Sequence, residues 1–68
     1  MPKESHEQAA AAHDHAAKAH RTAAEHHAKG DHSAAHEHST KAHGETEAAN
    51  MYSKDAHTKS SQKATEKR

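Results

Sequence analysis

A small residue followed by histidine recurs every seven positions along this chain. Ser5-His6, Ala12-His13 and Ala19-His20 set the phase, and His26-His27 keeps it. After a break of nine residues it resumes at Ala35-His36 and Ala42-His43, then runs through Ala49-Asn50 to Ala56-His57. Small residues hold a third column of the same period: Ala9, Ala16 and Ala23, then Ser39, Thr46 and Ser53. A period of seven keeps each column on one stripe of an α-helix, so the repeat predicts two helices that meet along small side chains.

The interior of such a fold can hold only small groups. The 68 residues include 17 Ala and 11 His but no Val, Ile, Leu, Phe, Trp or Cys, and the larger apolar side chains are Met1, Met51 and Tyr52. An alanine methyl contributes on the order of 0.8 kcal/mol when buried, against roughly 1.5–3 kcal/mol for a leucine or isoleucine side chain. A chain this short is already near the lower limit for independent folding. The expectation is therefore a marginal monomer, partly disordered unless an ion or a second copy adds to it. Helix formation itself is favoured, because alanine has the highest helix propensity. Pairs in the favourable i,i+4 order recur as well: Asp14 to Lys18, Glu25 to Lys29, Glu37 to Lys41 and Asp55 to Lys59.

Punctuation places the ends of the helices. Ser5 and Gln8 have the form of a capping box, so a helix can start near His6. Gly30 followed by Asp31 reads as a helix-ending glycine and then an N-cap acid, with Lys29 suiting the last turn of the first helix. The fold class expected is all-α: an antiparallel helical hairpin over about 5–29 and 32–57 with its turn at 30–31, dimerising into a four-helix bundle. Gly44 weakens the second helix. Residues 58–68 are expected to form a polar, frayed tail. Met51 and Tyr52 are expected as hydrophobic plugs.

Folding the chain at 30–32 makes facing positions sum to about 61–63. His27 then faces His36, His20 faces His43, His13 faces Asn50, and His6 faces His57, each rung beside the small-residue seam. Neutral imidazole is the commonest metal ligand in proteins. Residues seven apart on one helix are about 10.5 Å apart, too far to share an ion, so a site needs a second helix. The strongest candidate lies at the turn. His32 and His36 are i,i+4 there, with His27 across from them and His26 and Asp31 beside them. A second candidate pairs His43 and Glu47 with His20 opposite, and a third joins His6 to His57. All-imidazole sites suit copper, zinc, nickel and cobalt rather than magnesium or calcium, with copper or zinc first.

The segment AEHHAKGDHSAAHEHSTKAHG, residues 24–44, resembles the small His- and Ala-rich bacterial proteins, uncharacterised reading frames whose composition implies metal binding. Residues 54–67 resemble the Lys/Thr/Glu/Ala repeats of late-embryogenesis-abundant desiccation proteins.

Ten basic residues balance ten acidic ones, and no basic patch with stacking aromatics is present, which argues against nucleic acid. No apolar run suggests a membrane span or signal peptide, and a cytoplasmic location is the default expectation. No Ser/His/acid spacing suggests a nucleophile, and so small a core is poorly suited to preorganising a dry active site, so an enzyme is not expected. The function expected is a transition-metal buffer, store or carrier acting as a homodimer or higher homo-oligomer. The alternative is a pH-responsive or stress-protective polyampholyte without a specific site.

Overall fold

A computed structural model describes residues 2–66 of the chain. Two helices, α1 (Pro2–Ala28) and α2 (His32–Glu66), form an antiparallel hairpin, with no strand among the described residues. The hairpin is a thin rod, with Cα extents of 57 × 13 × 12 Å.

The turn follows from two adjacent residues. Gly30 takes φ +83°, the left-handed conformation that glycine adopts without a Cβ penalty. The Gly30 N–H donates to the His27 carbonyl at 3.0 Å, and the Asp31 N–H to the His26 carbonyl at 2.9 Å. Those two bonds are the Schellman pattern that satisfies the last carbonyls of a helix. Asp31 then opens α2, its Oδ1 accepting from the Ala34 N–H at 3.2 Å, as an N-cap carboxylate does. Glycine stop and acid start thus fit into a connection of three residues.

Packing follows the small-residue columns. On α1 the buried positions are Ser5, Ala9, Ala16, Ala19 and Ala23, with Ala12 half-buried among them. Their spacing alternates between four and three residues, which keeps them on one stripe of the helix. On α2 the covered column is Ala35, Ala42, Ala49 and Ala56, each with no exposed surface. The other small column of α2 contributes less: Thr46 is half-buried, while Ser39 and Ser53 are exposed. A seam of methyl groups holds the helices together mainly through dispersion and close backbone approach.

Both helices run past their expected ends. α1 begins at Pro2, where the fixed φ of proline suits the first helical position. Ser5 therefore extends the buried stripe inside the helix instead of opening it. α2 continues to Glu66 rather than ending near His57, so most of the stretch expected to fray is helical; Lys67 and Arg68 lie outside the described residues, as does Met1. No glycine or proline interrupts this stretch, and Lys59 pairs with Asp55 at 3.0 Å. The plug expectation for Met51 and Tyr52 is corrected: they are 73% and 43% exposed. Alanine columns in contact leave no room for a larger side chain, so the two bulky groups turn outward.

Candidate metal-binding face

The position of every ladder histidine follows from the seam. Each directly follows a seam position, and one residue turns an α-helix by about 100°. His6, His13, His20 and His27 on α1, and His36, His43 and His57 on α2, therefore project sideways from the contact, and all are exposed. The sense of that rotation is the same on both helices. Because the helices run in opposite directions, the same sense brings both columns to one side of the plane that contains the two axes. The ladders thus share a face. His32, three residues before Ala35, points to that side as well, and its ring meets that of His27. Eight of the eleven histidines lie on this face.

At the turn end of the face, His27 Nδ1 lies 2.8 Å from His32 Nδ1. One ring donates its proton and the other accepts, since two protonated nitrogens would repel at that distance. His26 sits around the corner, half-buried, with Nδ1 3.9 Å from the Asp31 carboxylate. Its ring stacks on His38 across the seam, with centroids 5.0 Å apart and planes within 9°. The last turn of α1 directs its carbonyl ends, and hence partial negative charge, toward His26 and His27, an environment that favours cations.

Of the turn set, then, His27 and His32 come together, His26 joins Asp31, and His36 stands exposed with no side-chain partner among the described residues. In the second set, His43 Nε2 lies 3.7 Å from Glu47 Oε1, a loose and exposed i,i+4 pair. His20 shares their face but makes no polar contact with them, and the same holds for His6 with His57 and for His13 with Asn50. Among the described residues no three His, Asp or Glu side chains converge closely enough to hold one ion. What the hairpin supplies is a row of imidazoles spaced along a face, with one pair in contact.

His38 was legible only as a polar surface residue. Its partnership with His26 is visible afterwards in the register, because 26 and 38 sum to within about one residue of the expected pairing level.

The opposite face has different chemistry. His15, Lys18, Thr22, His38, Lys41 and Glu45 line a shallow groove of about 180 Å3 there. Within it, Glu45 Oε1 is covered and has no hydrogen-bond partner. Further along, Met51 and Tyr52 with Ala48 and Asp55 line an open concavity of about 400 Å3. Each threonine hydroxyl bonds back to the carbonyl four residues earlier, for example Thr46 to Ala42 at 2.8 Å, so these hydroxyls are satisfied within their own helices.

Compared with protein-family models, curated proteins and solved structures, the chain gives no significant match. No helix among the described residues is long and apolar enough to cross a membrane.

Proposed function

We propose that the hairpin binds divalent or monovalent transition-metal ions through the imidazoles of its histidine face, acting as a buffer or carrier. The observation that carries this reading is the His27–His32 pair. The two ring nitrogens lie 2.8 Å apart, one donating to the lone pair of the other, so both ring edges already face a common region. With the donor ring in its Nε2–H tautomer, an ion can take the place of the bridging proton, and bonds of about 2.0–2.1 Å in tetrahedral geometry need a nitrogen separation of roughly 3.3 Å. Small rotations of two exposed side chains supply that opening. Asp31 and the carbonyl end of α1 add negative potential nearby.

Imidazole donors favour copper and zinc, then nickel and cobalt. The remaining ladder residues, His6, His13, His20, His36, His43 and His57, with Glu47 beside His43, offer weaker positions along the face. Weak, multiple and solvent-exposed donors suit exchange with the medium better than permanent retention, hence a buffer or carrier.

Calorimetric titration with Zn(II), Cu(II) and Ni(II) tests the proposal. We expect a tightest class of sites that His27→Ala with His32→Ala removes, with proton release on binding. Dissociation constants above about 0.1 mM for all three ions would overturn it.

A second reading, a pH-responsive polyampholyte, draws on the exposure of the ladder. Protonating all 11 histidines would take the formal charge from 0 to +11. Helicity that responds to pH but not to these metals or a chelator would favour it.

A further inference from the structure

The alanine seam is fully used within the single hairpin. Ala35, Ala42, Ala49 and Ala56 are fully covered inside the single hairpin, so a second copy cannot use them. The histidine face presents a different opportunity. Its ladders repeat every seven residues, about 10.5 Å along each helix, and the two columns supply at most a pair of imidazoles at each level. No three donors converge within one chain among the described residues. Zinc-type ions in closed sites take four ligands, so an ion held by such a pair keeps open positions.

A second feature of the face bears on what approaches it. From His6 to His57, Glu47 and Lys54 lie on this side, and Glu7, Asp14, Arg21 and Glu37, each one residue after a ladder histidine, stand at its outer edge. The middle of the face is thus free of formal charge, although 20 of the 68 residues in the chain are charged. The remaining Asp, Glu, Lys and Arg over that length sit at the turn or on the back and opposite face. Alongside the α1 ladder run Ala10, Ala17 and Ala24, and alongside the α2 ladder run serine and threonine. Small neutral flanks let another surface come close and leave few charges to strip of water. The stretch that carries both ladders, from His6 to His27 on α1, is about 32 Å long on a rod 13 Å wide. That is roughly half of the ~800 Å2 per partner that a specific interface buries, so contact between two such faces needs bridging ions to hold it.

We infer that the occupant of this face is the same face of a second copy, joined to it by metal ions that each take imidazoles from both chains. The interface is isologous: the same patch serves on both sides, and the equal spacing of levels keeps the ladders in step along the rod. A pair such as His20 and His43 from one copy meets an equivalent pair from the other, and four imidazoles close an ion that neither copy could close alone. The inference rests on the metal-binding reading above, which supplies the ions but does not require the second copy.

Sedimentation velocity and native mass spectrometry of the full chain, with Zn(II) and with EDTA, test it. A species of 7.4 kDa is expected in EDTA, and with Zn(II) a discrete species of twice that mass carrying at least two ions. His20→Ala with His43→Ala should raise the dimer dissociation constant at least tenfold. His15→Ala with His38→Ala on the opposite face should leave it within about twofold. Circular dichroism checks that both variants keep their helicity. Zinc bound to a chain that stays at 7.4 kDa would overturn the inference while sparing the metal reading. Absence of any zinc binding would overturn both. A dimer that persists in EDTA, or that is weakened only by the opposite-face pair, would also overturn the metal-bridged interface.

Discussion

Gly30 and Asp31 decide where the chain reverses, and each acts through a separate bond set. Gly30 has no neighbour within 4 Å of where a Cβ would stand, so a side chain there meets no clash. The cost of Gly30→Ala is conformational alone, about 1–2 kcal/mol for an L-residue at positive φ. Urea unfolding followed at 222 nm should show the loss. Asp31→Ala removes the cap on Ala34 and should cost about 1 kcal/mol, while Asp31→Asn should keep most of that stability. The Asn variant separates the two roles of Asp31, because it retains the cap but loses the charge beside His26. Gly44 is the reverse case. It lies inside α2 with open space around it, so Gly44→Ala should raise stability by about 0.8–1 kcal/mol.

For a whole helix the controlling quantity is the width of the seam. α2 meets α1 through alanines without exposed surface, and nothing larger fits between the backbones at those levels. Ala49→Leu should therefore force the helices apart and cost about 1–3 kcal/mol despite adding apolar surface. At the margin of the seam the sign changes. Glu45 holds a covered carboxylate oxygen without a hydrogen-bond partner, a situation that typically costs 1–3 kcal/mol. Glu45→Leu should raise the thermal midpoint, since the side chain there can spread along the groove with Thr22 and Lys18 instead of entering the seam. A lower midpoint would mean that the field of Lys18 and Lys41 already compensates the carboxylate. The same geometry explains why Met51 and Tyr52 stand outside, where they were expected to plug the interior.

Taken as one body, the rod separates its chemistry by side. Imidazoles and small neutral residues occupy one long face, and most fixed charge lies elsewhere. Acidification acts mainly on the first. Only the neutral form of an imidazole ligates a metal, so protons compete with the ion for the same nitrogens. As the pH falls from 7.5 to 5, bound Zn(II) should be released. Up to eight like charges then gather on a single face of the hairpin, so helicity should fall in the same interval. Dye-competition measurements of zinc, run beside circular dichroism across that range, check both expectations. Low ionic strength should enlarge the loss of helicity, because screening weakens repulsion between exposed charges.

Sequence alone determined the two helices, the turn and the alanine columns that meet, while the expected packing column of Ser39, Thr46 and Ser53 is corrected: Ser39 and Ser53 are exposed and Thr46 alone is half-buried. Those rest on local rules: the left-handed freedom of Gly30, the cap at Asp31, and a seven-residue period that no strand could use. It also placed the ladder histidines beside the seam, because adjacency in sequence fixes their angle on each helix. Helix ends were less legible. Ser5 satisfies a capping rule and a packing rule at once, and in the hairpin it is buried inside a helix that begins at Pro2. Nor did local signals show that His26 stacks on His38 or that His27 touches His32 while His36 touches neither, since side-chain rotation about the turn selects those partners. The short turn at Gly30-Asp31 already made the pair antiparallel, and two columns with the same angular offset then come to one side. Only the tertiary structure decided which rings on that side touch, because contact depends on the separation of the two helices and on side-chain rotation, which are properties of the pair and not of either helix.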